Sequence, residues 1–151
     1  MVRNKIIEYL QNTIQCFVEL NSVYVEKQKL LIKYNYDGFI ELTKKEELIL
    51  SRIQQEEKLR LKLKEELLIS LNLPKEKLLN EKFSTIMMQR LKKEEVEEIV
   101  SLELELKAVL EQSRNLNQNN MFLLEHKKQF ITEMFKVLFA GKKQNFINRK
   151  M

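Results

Sequence analysis

The chain is 151 residues long, 44% hydrophobic and 32% charged, with a formal net charge of +5, two glycines and one proline. That length fits one domain with its own core, and such sparse turn residues exclude sandwiches and βαβ folds, which need a turn former about every dozen residues. No apolar run is long enough to span a bilayer. Four basic residues fall in the last ten, and no helix carries the all-basic face that nucleic acid requires.

At the N-terminus, Glu8, Gln11 and Asn12 interrupt the apolar positions of MVRNKIIEYLQNTIQ, unlike a secretory signal, so cytoplasmic residence is expected. Ile7, Leu10, Ile14, Phe17, Asn21, Tyr24, Gln28 and Leu31 then recur at steps of three and four. This spacing predicts a first long helix over about residues 3–34. The single cysteine, Cys16, lies among apolar neighbours and reads as a small core residue.

Asn35-Tyr36-Asp37-Gly38 marks the first turn. The next helix starts either at a cap on Asp37 or at the capping box Thr43-Lys44-Lys45-Glu46. Phe39, Leu42, Ile49, Ile53, Leu63 and Leu67 carry its stripe to about residue 71, and the short turn folds it back antiparallel to the first helix. After Asn72-Leu73-Pro74, the residues Leu78, Leu79, Phe83, Ile86 and Met87 suit one or two short amphipathic turns. From about Glu94 a third long helix carries Val96, Ile99, Leu106, Leu110, Ser113, Asn117, Asn120, Leu124, Ile131, Met134 and Leu138 to a C-cap at Gly141. The expected fold is all-α: an elongated antiparallel three-helix bundle, with a short middle helix, forming one domain over residues 1–141. Residues 142–151 are expected to form a mobile basic tail.

Catalytic and cofactor chemistry lack the residues they need. The one histidine, His126, has no second histidine or cysteine at ligand spacing, and no Gly-rich loop follows a strand to cradle phosphate. Adjacent carboxylates such as Glu65-Glu66 point about 100° apart on a helix, as surface groups do. A non-enzymatic protein without metal or cofactor is expected.

The third long helix is unusual in two ways. Ser113, Asn117 and Asn120 interrupt its stripe, where a polar side chain is costly without a partner. Either the helix turns slightly there, exposing the asparagines and burying Leu116 and Leu123, or the asparagines fix register or face a partner helix. Downstream, Met121, Phe122, Leu123, Leu124, Phe130, Ile131, Met134, Phe135, Val137, Leu138 and Phe139 exceed what one intramolecular seam can bury. The surplus suits a groove for an amphipathic helix.

The order of features resembles the FlgN family of flagellar export chaperones. The likeness is carried by Leu30-Leu31 followed by Phe39, Leu42, Lys45, Leu48 and Ile49, by Glu56-Glu57-Lys58-Leu59-Arg60, and above all by Asn117-x-x-Asn120-x-x-Leu123-Leu124. Where the family pattern often has Gly before the middle helix, this chain has Leu71-Asn72-Leu73-Pro74. The resemblance implies a cytoplasmic chaperone that holds the C-terminal segment of hook-filament junction proteins as a helix and brings it to the type III export gate. It implies Asn117, Asn120, Leu123, Leu124, Phe130 and Ile131 as substrate contacts, and the export gate or export ATPase complex as a further partner. Neither nucleic acid nor membrane insertion is expected, and the free chain is expected to be a monomer or weak homodimer. The alternative function is a structural coiled-coil adaptor that homodimerises through its last helix.

Overall fold

The computed structural model describes residues 1–139, which form five helices and no strand: α1 Val2–Ile32, α2 Tyr36–Ser70, α3 Lys75–Leu78, α4 Phe83–Met87 and α5 Lys93–Phe139. The fold is all-α, as the sequence predicts, and two short helices stand where one middle helix is expected. Gly141 and the basic tail lie outside the described residues.

The middle position belongs to α1. It packs along both α2 and α5, which scarcely approach one another. This explains why α1 buries a second stripe beside the predicted one: Ile6, Tyr9, Cys16, Leu20 and Val23 are all buried. A central helix needs an apolar arc wide enough for two neighbours, whereas a stripe at three-four spacing describes one.

Polar pairs fix the two directions. Lys5 to Glu66 at 3.0 Å, Arg52 to Glu19 at 2.7 Å and Lys27 to Glu46 at 2.5 Å set α2 antiparallel to α1. Arg3 to Glu98 at 3.0 Å, near one end, and Asn120 to the Tyr24 carbonyl at 2.8 Å, further along, set α5 parallel to α1. The exposed pairs contribute little stability. Lys27–Glu46 differs, because its side chains are only 10% and 14% exposed and the Lys27 ammonium also lies 4.4 Å from the Phe39 ring centre. Burial and then the Glu46 charge push the pKa of neighbouring Tyr24 up to about 12.

The core is thick at one end and thin beyond it. At the thick end, Ile6 and Leu10 of α1, Leu67 and Leu68 of α2, Ile86 and Met87 of α4, and Val96 and Ile99 of α5 form one cluster. The Tyr9 and Phe83 rings meet edge to face at 5.8 Å. The short helices close this end of the rod. Further along, only Leu20, Val23, Tyr24 and Ile49 are fully buried together, with Leu116 packed against them from α5.

Neither long turn uses glycine at its left-handed position. Helix α1 ends with Tyr34 at φ 58° and α2 with Asn72 at φ 53°. In both, the next amide reaches back into the last turn, Asn35 N–H to the Leu30 carbonyl at 2.9 Å and Leu73 N–H to the Leu68 carbonyl at 3.0 Å, satisfying carbonyls that the helix end leaves free. Asn72 thus performs at the α2 terminus what glycine usually does, since asparagine tolerates this conformation. The cap of α2 is Asn35, whose Oδ1 accepts from Gly38 N–H at 3.0 Å. Neither expected start, Asp37 or the Thr43 box, caps it. Both lie inside the helix, because the cap falls on Asn35, two residues before Asp37.

Candidate functional site: the overhanging end of α5

The seam between α1 and α5 contains polar groups at its centre. Ser113 Oγ bonds Asn21 Oδ1, and it also lies 3.1 Å from the Val109 carbonyl, while Asn21 Nδ2 donates to that carbonyl at 3.4 Å. Seven residues on, Asn120 Nδ2 donates to the Tyr24 carbonyl at 2.8 Å. Ser113, Asn21 and Asn120 are all buried. Such paired polar groups favour one register, since a slip leaves each without its partner.

Both readings of the polar interruption hold in part. Leu116 and Leu123 are half-buried, so the seam runs through them rather than through Leu110 and Leu124, which are exposed. Asn120 nevertheless remains inside the seam, and Asn117 is half-buried beside it. Asn120 Oδ1 is buried without a hydrogen-bond partner among the described residues. Asn120→Leu therefore removes one bond and one unsatisfied oxygen together, and its stability is expected to stay within about 1 kcal/mol. Asn120→Asp sets a carboxylate against the Tyr24 carbonyl and is expected to cost at least about 2 kcal/mol in urea unfolding at neutral pH.

The seam positions continue at three-four spacing through Leu123 and Lys127, where α1 ends. Lys127 Nζ sits 3.4 Å from the centre of the Tyr34 ring at the α1–α2 turn, and Tyr34 meets Tyr36 edge to face at 6.5 Å. Every residue from 128 to 138 is exposed. From residue 128 to its end at Phe139, α5 extends about 18 Å past that turn at 1.5 Å per residue. On this overhang the seam face carries Phe130, Met134 and Leu138, flanked by Ile131 and Val137, all exposed. Phe130 is 51% exposed and Ile131 52%. The surface is a seam whose second helix has run out.

Of the six residues expected to contact substrate, the structure puts Leu124, Phe130 and Ile131 on the exposed end of α5, Asn117 and Leu123 at its half-buried approach, and Asn120 within the α1–α5 seam. Sequence reasoning missed Tyr34, Tyr36 and Lys127, which mark where cover stops. Their signal, an aromatic pair beside a turn, becomes informative only once α1 is known to end opposite Lys127. Upstream, Phe122 stacks on His126 with centroids 5.9 Å apart.

The described residues thus form an all-α rod whose last helix outruns its neighbours. A model of the FlgN protein family matches residues 1–149, and the chain belongs to that family. FlgN proteins are flagellar export chaperones. No curated protein and no solved structure matches the chain.

Proposed function

We propose that this chaperone binds the C-terminal segment of a hook-filament junction protein as an amphipathic helix on the overhang of α5 and delivers it, in the cytoplasm, to the type III export gate. The observation that carries this reading is the uncovered seam of Phe130, Met134 and Leu138. A substrate helix laid there takes the place that α1 occupies upstream, burying apolar surface on both chains. Leu123, Leu124 and Ile131 extend the contact, with Asn117 at its near edge. Asn120 acts from inside by holding α5 in the register that presents the stripe. The substrate segment must be ordered as it binds, which keeps affinity moderate and release feasible.

Light scattering after size exclusion tests this. The free chain is expected to run as a monomer at micromolar concentration, and a junction protein's C-terminal segment to join it one to one. A stable dimer that leaves the segment unbound would instead support the adaptor function.

A further inference from the structure

A second surface lies away from the overhang, near the thick end of the rod. Because α2 and α5 do not close over α1, a cleft of about 270 Å³ opens between them. Its floor is apolar, with Tyr9 and Leu10 from α1, Phe83 from α4, and Leu106 and Leu110 from α5. Its charged lining is Arg60, Lys64, Lys82 and Lys107 against the single acid Glu103. Arg60 is paired with Glu57 outside the lining, which leaves three lysines against one carboxylate, a local basic excess.

Lys64 is the informative residue. It is only 4% exposed, yet it has no hydrogen bond or ion pair among the described residues. Its ammonium lies 5.9 Å from the centre of the Phe83 ring. Glu57, Glu103 and Glu81 act on it through space, and two of them are engaged elsewhere: Glu103 accepts from the Ser84 amide at 3.3 Å, and Glu57 is bound to Arg60. Burial, and then the Arg60 charge, push the Lys64 ammonium below the ordinary lysine range. A buried cation without a direct ion pair is costly, and an anion brought into contact with it lowers that cost.

We infer that this cleft binds an acidic, apolar-anchored segment of a partner polypeptide, with a large apolar side chain on the Phe83–Leu106 floor and an Asp or Glu carboxylate at Lys64. Charge complementarity selects an acidic occupant, and the floor selects one with an apolar anchor. Free inorganic anions would leave the floor wet. The α5 lining from Glu103 to Leu110 covers about two helical turns, roughly 11 Å, which suits a short helical stretch with acid and anchor three or four residues apart. The cleft and the overhang are separate surfaces, so both can be filled at once.

Selection of phage-displayed 12-residue peptides on the full chain tests this, with enriched peptides then titrated by fluorescence anisotropy. Enriched sequences are expected to pair Asp or Glu with a large apolar residue three or four positions away. Lys64→Met, which keeps the packed stem and removes the charge, is expected to raise their Kd at least tenfold. Lys107→Glu, at an exposed position, is expected to weaken them as well, and Ile131→Ala to leave them unchanged. The inference fails if no peptide is enriched, if a Glu→Gln peptide binds equally well, or if Lys64→Met binds as the parent does. Loss on Ile131→Ala would also overturn it, by placing the peptides on the overhang.

Discussion

Phe130→Ala and Ile131→Ala are each expected to weaken binding of a junction protein's C-terminal segment by about 1 to 3 kcal/mol, roughly 5- to 150-fold in Kd, without moving the melting midpoint. Both side chains are about half exposed on a part of α5 beyond the α1–α2 turn, so truncation leaves no cavity in the core. Their apolar surface becomes buried only against a partner. Calorimetry with the segment and a thermal melt of each variant separate the two quantities. Leu123→Ala serves as a reference, because Leu123 is half-buried at the end of the seam and is expected to lose some of both. If the melting midpoint falls with every substitution and affinity falls only in proportion, the overhang is not a separate binding surface.

The opposite pattern is expected at the thick end. Leu68 is 1% exposed in the cluster joining α1, α2, α4 and α5. Leu68→Ala removes about three methylene equivalents from a packed site and leaves a void, which costs about 3 kcal/mol and lowers the melting midpoint by about 10 °C. Its neighbour Ile69 points to solvent, and Ile69→Ala is expected to stay within about 0.5 kcal/mol. The pair tests the rotational setting of α2 directly, since one residue along a helix is a turn of about 100°.

Much of this architecture was legible in the sequence because a long amphipathic helix repeats its signal many times. The stripe from Ile7 to Leu31 contains Asn21 and Tyr24, the two α1 residues that receive Ser113 and Asn120. Polar residues at apolar positions on two helices were thus partners of each other. What the stripes did not carry was the arrangement in space. Each reports an apolar face and not which neighbour covers it, so neither the central place of α1 nor its second buried stripe is legible in them. The turn after α1 comes about two residues before its expected place for a local reason: Tyr34 takes the left-handed position that sequence reasoning assigns to Gly or Asn. At the candidate site, the excess of large apolar residues after Met121 pointed to a partner. Their division into covered and uncovered depended on where α1 ends, a tertiary fact. The buried charge of Lys64 had no sequence signal, since lysine within a mixed-charge helix usually lies in solvent.

The parallel pairing of α1 with α5 also bears on how the chain folds. Bonds across that seam join residues 88 to 96 positions apart, whereas the ion pairs between α1 and α2 span 19 to 61. Loop closure favours the nearer pairing, and a high share of distant contacts slows folding. The α1–α2 hairpin is therefore the natural early unit, and α5 docks on it late. During synthesis, at about 5 to 20 residues per second, the α5-facing side of α1 waits on the order of 5 to 20 s for its partner to emerge. Through that interval the nascent chain displays an apolar strip of its own, and is itself prone to aggregation until its last helix arrives.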